Sequence, residues 1–137
     1  MAKGLFCTSI GVVGSTIGLL LGGWDSSIQT LLIFMVMDYL TGLCVAGIFH
    51  KSPKTNTGTL ESKAGWKGLC KKGVTLFFVV VANRLDIQMG TTYLRDAVCI
   101  AFMTNELISL VENAGLMGVP IPKILVESIN LLKEKEV

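Results

Sequence analysis

The sequence predicts an all-α integral membrane protein, and three observations carry that prediction. Apolar residues make up 51% of the 137-residue chain, and the mean hydropathy is +0.64. Only 16% of the residues are charged, whereas a soluble domain usually carries about a quarter. Most charges are also segregated into loops and the C-terminal tail, as expected where a charge at the bilayer centre is unfavourable. We therefore expect a single membrane domain over residues 1–137.

Four apolar segments are candidates for membrane-spanning helices, because about 20 helical residues cross a hydrocarbon core. They cover residues 4–23, 28–49, 73–89 and 93–113. Turn residues separate the first from the second and the third from the fourth, which predicts two helical hairpins. Arg84 and Asp86 interrupt the third segment, so an arrangement with three spans remains the alternative.

The connection over residues 50–72 is strongly basic. It contains a single acid and six lysines, namely Lys51, Lys54, Lys63, Lys67, Lys71 and Lys72. Such a cluster could be a nucleic-acid patch, but between apolar segments the positive-inside rule explains it better. We expect a cytoplasmic loop, no nucleic-acid partner and, with four spans, a cytoplasmic C-terminus. Residues 121–137 predict a short amphipathic segment that ends the chain.

Polar residues lie inside two of the predicted spans. Asp38, Thr41 and Gly42 lie close together on the second span, and Asn105, Glu106, Ser109 and Asn113 fall on the fourth. An ionisable group at mid-membrane depth indicates a functional site by default. Two roles stay open: packing of helices through buried hydrogen bonds, or lining water in an oligomeric pore. Asp38 and Glu106 have no evident partner in the sequence.

The remaining charges of the second hairpin can be paired across it. A reversal near Gly90 would place Arg84 level with Asp96 and Asp86 level with Arg95, close to the outer surface. The same register would place Glu112 level with Lys71 and Lys72. Pairing of this kind lowers the free energy of charges near a membrane.

Three glycines of the first segment recur every fourth residue. Gly14, Gly18 and Gly22 share one small-residue face of this segment. Such a face lets two membrane helices approach closely, although glycine is common in membrane helices anyway. The spacing predicts a surface for packing against another helix.

Nothing in the sequence supports catalysis. The single histidine, His50, borders the basic loop, and the four cysteines lack metal-ligand or redox spacing. No nucleotide-binding loop or metal cluster is present in the sequence. We predict a non-enzyme without cofactors, and a pore-forming protein or a scaffold subunit of a membrane complex remain the leading classes.

A series of short motifs then points to one family. GGWD at 22–25, DYLTG at 38–42, GWKGLCKK at 65–72, ANRLD at 82–86 and NELISLVENAGLMGVPIPKIL at 105–125 occur in that order. Their order and spacing resemble the phage holin family that includes clostridial toxin-secretion holins. The resemblance runs from about residue 22 to the C-terminus.

The resemblance implies a protein that oligomerises in the bacterial cytoplasmic membrane and opens lesions at a set time. A murein hydrolase (endolysin), or in toxin loci a large toxin, would then leave the cell. An antiholin could share the same segments and is a further partner or an alternative identity. The resemblance marks Asp38, Thr41, Gly42 and the NE-x-x-S-x-x-EN positions as typical of the family.

Overall fold

The computed structural model describes residues 1–135, and over that range the chain forms five α-helices joined by turns and loops, with no strand. The helices are α1 (Ala2–Leu20), α2 (Ser26–Gly47), α3 (Ser62–Met89), α4 (Leu94–Leu116) and α5 (Lys123–Lys135). The all-helical class is therefore as expected. The predicted amphipathic segment corresponds to α5, except for residues 136–137, which lie outside the described range.

Two helices are long and apolar enough to cross a membrane by length and composition. They are Ala2–Leu20 and Ser26–Gly47. α3 and α4 carry more charged and polar residues, so the structure supports two candidate spans and leaves four as a prediction. Arg84 and Asp86 interrupt α3, as the sequence indicated, whereas the polar character of α4 was not expected to set it apart from the other spans.

α3 begins much earlier than residue 73. It starts at Ser62, so four of the six loop lysines, from Lys63 to Lys72, lie on its first turns rather than in a loop. Lysine and alanine favour helix, and the glycines here leave room for a neighbour: a Cβ on Gly65 would lie 3.3 Å from the Tyr39 hydroxyl of α2. The prediction of a loop over the whole of residues 50–72 was therefore wrong, and only Lys51 and Lys54 are in the true connection.

The core lies between α2, α3 and α4. α4 is the central helix, because both α2 and α3 pack along it, while α2 and α3 touch each other less. Side chains buried at this contact include Ile28, Leu31, Val79 and Cys99, all fully inaccessible. α5 packs on α4 through the buried Ile129.

α1 stands apart from this core. None of its residues is buried, and within the described chain it contacts α3 only. Gly14 and Gly18 have nothing near the position of a side chain. The predicted glycine face is thus unoccupied within the monomer, and its role in packing stays a prediction.

Gly22 does not belong to that face. α1 ends at Leu20, and Gly22 lies in the following turn with φ of +89°. A left-handed backbone favours glycine, and a Cβ here would lie 2.5 Å from Nε of Arg95. The prediction of a helix-packing role for Gly22 was wrong, because the residue serves the turn and the side chain beneath it.

Arg95 of α4 holds this turn. Its guanidinium donates to the carbonyl oxygens of Leu21 and Gly23 and forms a two-pronged ion pair with Asp25, at 2.7 and 3.0 Å. Asp25 also caps α2 by accepting a hydrogen bond from the Ile28 amide. The hydrogen-bonded guanidinium holds the pKa of the Asp25 carboxyl below its ordinary value.

The ion pairs predicted across the second hairpin, Arg84 with Asp96 and Asp86 with Arg95, do not form in the structure. Asp96 pairs with its neighbour Arg95 at 3.3 Å rather than with Arg84, and Arg84 is exposed. Asp86 does lie level with Arg95, but its carboxylate accepts from the backbone amides of Leu94 and Arg95. It thus caps the start of α4, which leaves the Arg95 guanidinium free to reach Asp25.

Replacing Gly22 with alanine should lower the melting temperature of the detergent-solubilised protein. Left-handed strain accounts for about 1–2 kcal/mol, and the contact of the new Cβ with Arg95 adds to it. Gly23→Ala is the matched control, since its φ is +108° and its side-chain position is open. Equal losses in melting temperature for the two variants would show that the Arg95 contact is unimportant.

Candidate functional site

The candidate site is a group of charges where α2, α3 and α4 meet. The Lys72 ammonium on α3 donates to Asp38 of α2 at 2.7 Å and to Glu106 of α4 at 2.6 Å. The three side chains are 16%, 7% and 13% exposed, respectively. We refer to Lys72, Asp38 and Glu106 as the Lys72 cluster.

The structure supplies the partner that the sequence did not reveal. Asp38 and Glu106 lie at a similar depth on neighbouring helices, and both pair with the Lys72 ammonium. The sequence predicts Lys72 in the basic loop, level with Glu112. Its partner Glu106 lies six residues away from Glu112, about 1.7 turns deeper along α4.

An amide completes the surroundings of Asp38. Asn113 of α4 is buried, and its Nδ2 donates to Oδ1 of Asp38 at 3.2 Å and to the Thr41 hydroxyl at 2.9 Å. A Cβ on Gly42 would lie 3.9 Å from the same nitrogen. Four residues that the sequence singled out therefore meet at one α2–α4 contact.

Ser109 and Asn105 belong to the same region without joining the ion pairs. Both line a cavity of about 240 Å³ that lies between α2, α3 and α4. The connection between α2 and α3, with Ser52 and Lys54, forms part of its wall. Ser109 is half-buried, whereas Asn105 is exposed.

The cluster carries two carboxylates against one ammonium. With all three groups ionised, its net charge is −1. Buried ion pairs gain little net stability because desolvation offsets their attraction, but removing one partner strands a charge. The arrangement is suited to holding three helices in register and to responding when water reaches it.

Comparison with known proteins identifies the family. A model of the bacteriophage holin family matches residues 15–134.

The chain belongs to the bacteriophage holin family. The resemblance read from the order of its motifs is thereby confirmed, and together with two long apolar helices it indicates a membrane protein.

Several relatives align with most of the chain. An uncharacterized protein of Listeria innocua is 36% identical over 92% of this chain and 86% of its own length. An uncharacterized protein of Clostridium perfringens is 36% identical over 96% of this chain and 94% of its own. A probable holin of Bacillus phage phi105 is 26% identical over 77% of this chain and 73% of its own. No solved structure matches the chain.

Substituting Lys72 with methionine should destabilise this family member. Two buried carboxylates would lose their cation, which lowers the free energy of unfolding by roughly 3 kcal/mol. Unfolding in mixed micelles measures the change. Lys71→Met, at the exposed neighbouring position, is the control and should behave like the wild type.

A charge-neutral variant tests whether the loss comes from stranded charges. Asp38→Asn, Lys72→Met and Glu106→Gln together should recover most of the stability lost in Lys72→Met alone, because no charge is left unpaired. If the triple variant is instead the least stable, packing of the lysine stem rather than charge balance holds the helices.

Proposed function

We propose that this chain is a holin that oligomerises in the bacterial cytoplasmic membrane and forms lesions through which an endolysin or a large toxin leaves the cell. Family membership supports the proposal, as does similarity to the probable holin of phage phi105. In this proposal the chain supplies the opening and has no catalytic activity of its own, so lysis depends on a partner murein hydrolase.

The observation that carries the proposal is the Lys72 cluster. Its polar groups are enclosed by three helices in the monomer, where one ammonium serves two carboxylates. A water-lined oligomer would solvate all three groups, and the excess negative charge favours that hydrated state. A change in membrane potential could shift the balance, because moving one charge across 100 mV changes the free energy by about 2.3 kcal/mol.

α1 is the proposed assembly surface. Its apolar side chains, such as Leu5, Phe6 and Ile17, are exposed, and Gly14 and Gly18 leave its backbone accessible. A helix of this kind can lie against lipid or against a neighbouring copy. We propose that copies associate through α1 before the lesion opens.

The proposed topology has four spans and places both termini in the cytoplasm. Lys51 and Lys54, together with the lysines at the start of α3, would then lie at the cytoplasmic surface as the positive-inside rule requires. The Arg95 network and the Gly90 turn would lie at the outer surface. Reporter fusions at the C-terminus test this orientation, and an external C-terminus would overturn it.

Inducible expression together with an endolysin that lacks a signal sequence tests the function. We expect abrupt depolarisation, release of the enzyme and lysis, with the endolysin alone as the control. Membrane insertion without release would overturn the holin proposal in favour of an antiholin or a scaffold subunit.

Asp38→Asn should delay lysis at equal protein levels. The substitution leaves Lys72 paired with Glu106 and removes the excess negative charge, which favours the enclosed state over the hydrated one. Optical density after induction measures the delay. Glu127→Gln, on the exposed face of α5, is the control, and unchanged timing for Asp38→Asn would count against a role of the cluster in opening.

A further inference from the structure

The core between α2, α3 and α4 has two parts. The cavity at the Lys72 cluster forms its polar half, and the packed apolar cluster beside it forms its apolar half. About 240 Å³ of open space lies among the second half of α2, the start of α3 and the second half of α4. Its wall includes Thr75 and Ser109, and the Lys72 cluster itself lines it. The space is several times the roughly 30 Å³ that one water molecule occupies in the liquid. The charged and hydroxyl groups in this lining offer hydrogen-bond partners to water.

The polar half ends abruptly at an apolar layer. Met35 lies one turn from Asp38 on α2, Val79 one turn from Thr75 on α3, and Met103 one turn from Glu106 on α4. These three apolar side chains are 4%, 0% and 8% exposed and belong to one packed cluster. Hydrophobic constrictions of this kind exclude water and ions without any closing motion.

We propose that each protomer contains a water-filled vestibule that ends at the Lys72 cluster and is sealed by Met35, Val79 and Met103. The monomer thus carries half of an ion path, distinct from any lesion that several copies form. The vestibule takes water. Two carboxylates against one ammonium make its floor favour small monovalent cations over anions, whereas the wall nearer the mouth adds Lys54 and Lys71 against Glu61. This inference rests on the membrane placement given under the proposed function and not on lesion formation.

Cysteine accessibility tests the boundary between the two halves. Cys7, Cys44 and Cys70 are replaced by serine, and Thr75→Cys, Ser109→Cys or Val79→Cys is introduced singly. A membrane-impermeant cationic thiosulfonate is added to inverted membrane vesicles. We expect Thr75→Cys and Ser109→Cys to react more than about tenfold faster than Val79→Cys, because thiol reactivity requires solvent access.

The chain offers matched controls for this experiment. Thr75 and Val79 lie one turn apart on α3, so only the seal separates them, and the native Cys99 is fully buried in the apolar half. Labelling after denaturation gives the full thiol content of each variant. Thr75→Cys and Ser109→Cys that react as slowly as Val79→Cys would overturn the vestibule, and so would labelling only from the outer side.

The floor charges are tested in the same preparation. At Ser109→Cys the cationic reagent should react faster than an anionic one of similar size. The charge-neutral combination of Asp38→Asn, Lys72→Met and Glu106→Gln should abolish that preference without leaving a buried charge unpaired. If the neutral variant still prefers the cationic reagent, the proposal that the floor attracts small cations is overturned. If the labelling pattern is found but cells release no endolysin, the vestibule stands and the holin proposal fails. If cells lyse but the labelling pattern is absent, the holin proposal stands and the vestibule is overturned.

Discussion

One ammonium shared by two carboxylates fixes the relative positions of three helices. Lys72 can reach Asp38 and Glu106 together only where α2, α3 and α4 meet at the same depth. Any slip of one helix by a turn would leave a charge without its partner in a medium where that is strongly unfavourable. The position of the cavity and the pairing of the apolar residues beside it both follow from this register.

At the other end of the bundle, Arg95 holds the turn between α1 and α2 instead of joining three helices. Arg95 binds carbonyl oxygens and the Asp25 carboxylate of the turn that joins α1 to α2. Asn83 adds a hydrogen bond to the carbonyl of Leu20. Since α1 buries no residue of its own, these contacts at its C-terminal end largely set its direction. The helix that has most surface left for neighbours is thus attached at one end only.

The sequence predicted the helical class, the turn positions and the polar positions of α2 and α4, because hydropathy, glycine and buried polarity are local signals. It could not predict where α3 begins. A lysine-rich segment with two glycines looks like a loop, and only Tyr39 packing over Gly65 and Gly68 shows why it is helical. The partners of Lys72 and Arg95 were missed for a related reason. Asp38 and Asp25 come from the first hairpin, whose position against the second depends on tertiary packing. Glu106 lies in the same hairpin as Lys72, and its pairing depends on the register of α3 against α4.

A buried cluster with an unbalanced charge is a poor way to stabilise a helix bundle. Apolar side chains of similar volume often give equal or greater stability, so stability alone does not account for Lys72, Asp38 and Glu106. Apolar replacements, however, would favour the enclosed state whether or not water was present. The free energy of the charged cluster depends on hydration, and a hydrated cavity already reaches it from one side in the proposed arrangement. In the proposed mechanism, such a bundle is stable while its helices enclose the charges, and a water-lined assembly becomes more favourable once the helices separate.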